Sequence, residues 1–349
     1  MGKVKKFTVM LLCAAMLLGT ITGCGNKVSD DVSSSKTQEP IQIRIAHNDT
    51  ESETNAYHYT ALRMKELIEE RTDGSVTVQI YPNGQYGGER EMFEATILGT
   101  VDIAIMTSGN IGEFSKAFLA VDLPFAFSSS EAAWEALDGP AGQAIGGSLS
   151  DIGITGLAWG ENGFRNMVTN GHGIRTADDF KGMKVRALEN ELHVNAYKSW
   201  GANPSPLAWA EVMTGLQQGT IQGLDIPISV AYSNNFSDRA DYYSLTNQFY
   251  NAQYVVCNSA WLDELSPELQ ETVKQAAIDA CNMERKWLKE NEMSWLNEME
   301  ANGMEIIRED AIDYESFKAK VAGIYDEYAE KIGGTYVYDL LEAAEKKAE

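Results

Sequence analysis

The chain has 349 residues with 28 Lys and Arg against 51 Asp and Glu, for a formal net charge of −23. Such a surface repels a phosphate backbone, whose capture needs clustered cations, so no nucleic acid is expected as a partner. The four histidines, His47, His58, His172 and His193, are scattered along the chain; with no metal-ligand spacing among them, no metal and no cofactor are expected.

Lys3, Lys5 and Lys6 precede an apolar run over residues 7–18 and then Ile21-Thr22-Gly23-Cys24. Basic, apolar and small residues in that order form an export signal, and the apolar stretch is shorter than the ~20 residues that span a bilayer. Residues 1–23 are therefore predicted to be a signal peptide, and their removal takes three lysines and no acid, moving the charge to −26. Small residues before a cysteine resemble a bacterial lipobox, which implies a lipoprotein anchored to the cell membrane through Cys24. Residues 24–40 are polar and without apolar periodicity, the composition of a tether.

Ordered structure is expected from Ile41. Residues 41–46 read as a strand, and Tyr57, Ala61, Met64 and Ile68 follow at helical spacing up to Asp73-Gly74. Val76, Val78 and Ile80 alternate as a strand that ends at Pro82-Asn83-Gly84. A short helix over 89–98 leads to an apolar strand over 101–105, then Thr107, Ser108, Gly109 and Asn110. Small polar groups at the carboxyl end of a strand either form a plain turn or face a ligand, as open α/β sheets do. The alternation continues through a strand over 183–186, a helix over 207–218 and a strand ending at Leu224.

Ser266-Pro267 supplies an N-cap and first-turn pair, and no Gly or Pro follows until Asn302. At 1.5 Å per residue this run reaches ~54 Å, so one helix would cross two lobes; the alternative is a break near 291–294. Cys257, in a strand-like segment, and Cys281, in the helical run, either bridge or stay buried, and free thiols are expected. The length after the tether exceeds a single core, which predicts two lobes.

Arg165, in Asn162-Gly163-Phe164-Arg165, and Arg186, in Lys181-Gly182-Met183-Lys184-Val185-Arg186, stand out in so acidic a chain. A guanidinium fork matches a carboxylate bidentately, so these are candidate anion ligands unless each pairs with a surface acid.

Both segments, with Tyr81-Pro82-Asn83-Gly84-Gln85, Leu123-Pro124-Phe125, Gly201-Ala202-Asn203-Pro204 and Trp209-Ala210-Glu211-Val212, resemble the solute-binding subunits of tripartite ATP-independent periplasmic (TRAP) transporters, the DctP-like family. The resemblance runs collinearly from about Ile41 to the C-terminus. It implies an α/β, two-lobe periplasmic-binding-protein-like fold with a long helix spanning both lobes. The expected division is 41–162 with 251–290 as lobe I and 163–250 with 291–349 as lobe II. By the same matching Arg186 takes a ligand carboxylate and Arg165 is a second contact. By that matching Asn48 on the first loop, Glu89 at the start of the helix after Gly87-Gly88 and Thr107 after the apolar strand are ligand-binding positions, Trp209 supplies an aromatic wall or packs a core, and Gln248 falls near the hinge. The chain departs from the family at Gly223-Leu224-Asp225-Ile226-Pro227, where Ile226 replaces an asparagine that would donate to the carboxylate. Asp225 either accepts from ligand hydroxyls or caps a turn.

The expected function is an extracytoplasmic receptor that captures an organic acid, a sugar acid among the candidates, and passes it to a TRAP permease. A sensory receptor for the same acid is the alternative. A secreted hydrolase using Glu89, Glu161 and Asp225 is a third class, without a G-x-S-x-G or H-E-x-x-H motif to support it.

Overall fold

The computed structural model describes residues 41–345; the signal segment, Cys24, the tether and residues 346–349 lie outside the described residues. Nine strands form one mixed sheet: β1 (Ile41–Ala46), β2 (Val76–Tyr81), β3 (Ile103–Thr107), β4 (Ile154–Thr169), β5 (Lys184–Ala187), β6 (Asn203–Pro206), β7 (Gly223–Ile226), β8 (Tyr242–Asn258) and β9 (Glu305–Ile307). Their order is β2-β1-β3-β8-β4-β7-β5-β6, with β9 added to β8. The βα alternation produces parallel pairs at the two ends, β1 with β2 and β3, and β5 with β6 and β7.

The two halves are joined by β4 and β8, which pair antiparallel from Ile154↔Asn258 to Thr169↔Tyr242. Their first part lies beside β3 and their far part beside β7, so the same two strands belong to both lobes. Register shifts at Gly156/Ala158, Glu161/Gly163 and Arg165/Met167 bend the pair. Extra residues of this kind unpair the ladder and redirect side chains. Gly163 sits at φ +105, a backbone conformation open to glycine, in the middle of these shifts. We propose this bulge as the lobe boundary and Gly163 as its hinge.

The helix Pro267–Ala301 is continuous through 291–294, capped by Ser266, whose side chain accepts from Leu269 N–H. Its 35 residues correspond to ~52 Å. It packs on the helix Ala56–Arg71 of the first lobe and on Ile228–Ser233 of the second. Val273, Ala277, Ala280 and Leu288 form its buried stripe, whereas Trp287 is half-buried and stacks on Tyr59 at 4.4 Å. Cys257 and Cys281 are free and buried, with both thiols pushed up by desolvation.

Two segments depart from the sequence expectation. The third strand begins at Ile103, because Asp102 turns its carboxylate to Arg44, accepting from the backbone N–H at 2.7 Å and Nε at 2.9 Å. The C-terminal helices Ile324–Ile332 and Gly334–Glu345, expected in lobe II, pack instead on Lys116–Ala120, Ser130–Asp138 and Pro140–Gly147 of the first lobe. Tyr325 fixes that return by donating to the Pro124 carbonyl at 2.6 Å.

Acids are buried at the bulge itself. Glu161 accepts from Ser130 Oγ and from Trp134 Nε1 (2.8 Å), and burial raises it to about 7. Glu284 of the long helix accepts from Glu161 N–H at 3.0 Å and is raised well above the ordinary range, first by desolvation and then by Glu161. Glu284 Oε1 and Gln253 Oε1 are both buried acceptors without a hydrogen-bonded donor; a proton on Glu284 can serve both. Carboxyls raised in the folded state bind more protons there than in the unfolded chain, so stability falls as pH rises from about 5 through these values. Glu284→Gln should mimic the protonated form. Melting curves should show the wild type losing stability between pH 5.5 and pH 8.5 and the variant losing less; parallel losses would contradict a neutral Glu284.

Candidate ligand-binding site

The cleft lies where the carboxyl ends of β1, β3, β5 and β7 meet the crossing strands. Arg186 is the third residue of β5, paired at Leu224 of β7, and Arg165 follows the Glu161/Gly163 bulge on β4. Asn48 and Asp49 come from the turn after β1, Glu89 opens the helix Glu89–Ile97, and Thr107 ends β3. Trp209 begins the helix Trp209–Gln218. All of these line one cavity, together with Tyr57, Asn110, Asn162, Asn251 and an apolar wall of Leu188, Ile226, Pro227 and Val230. The cavity is small, about 50 Å³, room for a handful of water molecules.

The lobes are closed over this space. Asp49 of the first lobe accepts from Asn234 Nδ2 at 3.2 Å, and Asn55 donates to Ser233 Oγ at 3.4 Å. On the other side Asn190 donates to Asp122 at 2.8 Å and to the Gly109 carbonyl at 3.0 Å. His193 sits between Asp122, 3.3 Å from Nε2, and Asp225, 4.0 Å from Nδ1, and stacks on Phe249.

The two arginines differ in what they already hold. Arg165 gives Nε to Asp225 Oδ2 at 3.0 Å, Nη2 to Oδ1 at 3.1 Å and Nη1 to Asn251 Oδ1 at 3.1 Å. The paired Asp225 stays below the ordinary carboxylate range despite burial, through Arg165 first and His193 next. Arg186 is 3 % exposed, and its one hydrogen bond is from Nε to the Leu207 carbonyl at 3.0 Å. Its Nη1 and Nη2 have no hydrogen-bonding partner among the described residues. Desolvation, then repulsion by Arg165, lowers it to about 10. A buried cation in that state is stabilised by any anion that reaches it.

Two residues singled out in the sequence stand behind the cavity. Asp225 is fully buried against Arg165, so it neither faces a ligand hydroxyl nor caps a turn. Gln248 is fully buried too, with Nε2 donating to Tyr197 Oη at 3.2 Å and reaching Asp225 at 3.4 Å; its Oε1 accepts from Thr246. Both hold Arg165 and its surroundings in place. Glu161, weighed as a hydrolase acid, is enclosed by Ser130 and Trp134 and does not line the cleft.

Sequence reasoning missed Asp49, Tyr57, Asn162 and Asn251, and left Asn110 between a plain turn and a ligand-facing position; it lines the cavity. Asn162 donates to Asn251 at 3.0 Å and to Tyr57 Oη at 3.2 Å, while Asn251 donates to Thr107, tying three strands together under the ligand space. Asn162 could have been found, since it precedes the hinge glycine in the quoted motif. Asn251 could not, because its place depends on the register of β8 against β4.

A closed crevice between two α/β lobes, lined by a guanidinium without an ion pair, defines a bilobed solute-binding receptor. The sequence model for bacterial extracellular solute-binding protein, family 7 (DctP), matches residues 47–331, and the chain belongs to that family. It is 31% identical over 294 residues to the 2,3-diketo-L-gulonate-binding periplasmic protein YiaO of Escherichia coli, covering 84% of this chain and 87% of the relative. Among solved structures, a TRAP periplasmic solute-binding protein from Polaromonas bound to D-erythronate matches with TM-score 0.82 and 32% identity, over 86% of this chain and 98% of that one. The sugar acid binding protein DctPAm from Advenella mimigardefordensis in complex with galactonate matches with TM-score 0.84 and 27% identity, over 88% and 99%. The protein is thus an extracytoplasmic binding subunit of the TRAP class, a receptor for transport and not an enzyme. No helix among the described residues is long and apolar enough to cross a membrane.

Proposed function

We propose that this receptor binds a hydroxylated carboxylic acid, a sugar acid, with Arg186 as the fork for the carboxylate, and delivers it to a TRAP permease. The observation that carries this reading is the contrast between the arginines. Arg165 is neutralised by Asp225, whereas Arg186 turns into the closed cleft with its terminal nitrogens unclaimed by the protein. In this reading Arg165 acts by holding Asn251 beside the ligand space, not as a second bidentate clamp.

Acceptors around the rest of the cavity favour a ligand with hydroxyl donors. Asn110 Oδ1 is buried without a partner, and each Glu89 oxygen accepts one protein N–H, from Thr107 at 2.9 Å and from Asn110, leaving capacity for another. Leu188, Trp209, Ile226 and Val230 face them across the cleft and suit the carbon face of such a molecule. Ile226 contributes apolar surface where an amide would donate, which leaves the carboxylate to Arg186. The named ligands of the relatives, 2,3-diketo-L-gulonate, D-erythronate and galactonate, are all acids bearing oxygen functions along the chain.

Truncating a buried charged partner costs ~2–5 kcal/mol, so Arg186→Ala should raise Kd for a bound sugar acid about 30-fold to a few thousandfold. Calorimetry with unchanged affinity would remove Arg186 from the site.

We also infer that Cys24 carries lipid and holds the receptor at the membrane, with residues 24–40 as a tether. Each buried methylene contributes about 0.8 kcal/mol, so two or more acyl chains anchor firmly. Cys24→Ser should move the protein from the membrane fraction to the soluble one; a wild type already soluble after export would contradict the anchor.

A further inference from the structure

We propose that Asp49 and Glu89 restrict the ligand to acids with a single carboxylate, so that the cleft rejects the dicarboxylate of the same carbon skeleton. The inference rests on the assignment of Arg186 above and goes beyond it, to the charge the site tolerates.

Charge accounting inside the cavity carries the argument. Among the described residues Arg186 is its one cation without an ion pair, and a first carboxylate uses it. Arg165 also lines the cleft, but it already makes four hydrogen bonds to Asp225 and Asn251, one from Nε, one from Nη1 and two from Nη2, and its charge is paired at 3.0 Å. What remains facing the ligand is acidic. Glu89 is 4 % exposed and Asp49 3 % exposed, and both line the same cavity.

Neither carboxylate can turn away without breaking the fold around it. Glu89 is held from both oxygens by Thr107 N–H and Asn110 Nδ2. Asp49 accepts from Thr50 N–H at 2.7 Å and from Asn234 Nδ2 at 3.2 Å across the lobe interface. These partners are dipoles, not cations; the one cation acting on Glu89 is Arg186, and the first ligand carboxylate takes up that charge. A hydroxyl at the far end of a ligand donates to them; a second carboxylate has no proton to give and meets like charge in a desolvated space.

The test compares matched pairs that differ only at the far carbon: D-erythronate with meso-tartrate, and galactonate with galactarate. Calorimetry at pH 8 keeps Glu89, raised by burial to about 7, ionised. The wild type should prefer the monoacid of a pair by about 100-fold or more, the scale of a like-charge contact. Asp49→Asn and Glu89→Gln, each verified as folded by its melting curve, should each narrow that preference by roughly 10-fold, whatever happens to the monoacid affinity itself. Equal binding of the two members of a pair by the wild type would overturn the proposal. So would a preference that stays the same in both variants. Failure of every monoacid in the panel to bind would strike the Arg186 assignment and take this inference with it.

Discussion

The organisation of the cleft follows from one electrostatic asymmetry. Arg165 and Arg186 are both buried, and each would carry a large desolvation penalty alone. Asp225, brought beside β4 by the pairing Met167↔Asp225, cancels the first. No carboxylate forms an ion pair with the second, which has only a backbone carbonyl at its Nε and feels Asp225, Glu89 and Glu189 from farther off. The site therefore holds a cation whose terminal nitrogens have no paired anion among the described residues. Burial makes that charge matter, because a guanidinium shielded from water interacts with an anion through a lower effective dielectric than one on the surface.

This asymmetry depends on the frame. Strands β4 and β8 run through both lobes, and the bulge at Glu161/Gly163 directs Asn162 and Arg165 into the cleft from the same short stretch. The long helix lies across the seam, with Glu284 accepting from the Glu161 backbone at the bend. Ligand-facing side chains, the hinge and the lobe-spanning helix are thus connected by hydrogen bonds a few residues apart. Closure is secured on both flanks by an aspartate of the first lobe accepting from an asparagine of the second, Asp49 from Asn234 and Asp122 from Asn190.

Much of this was legible in the sequence where local pattern decides it. Alternation at Val76, Val78 and Ile80 gave β2, and the Ser266-Pro267 start and unbroken run gave the long helix at nearly its observed limits. The resemblance on the Asn-Gly-Phe-Arg and Lys-Val-Arg segments led to both cleft arginines, and Asn48, Glu89, Thr107 and Trp209 do share their cavity. Long-range geometry was not legible. Whether Asp225 faces a ligand or an arginine depends on the register of β7 against β4, and Asn251 reaches Arg165 only through the bulged pairing of β8. The return of the last helices to the first lobe depends on contacts such as Tyr325 with the Pro124 carbonyl, 201 residues apart.

The most direct measurement is a crystal structure of the receptor with a bound sugar acid. The account places the ligand carboxylate within about 3 Å of Arg186 Nη1 or Nη2, with Arg165 still paired to Asp225. A carboxylate seated on Arg165 with Asp225 displaced, or an acid bound in the cleft with Arg186 left empty, would contradict it.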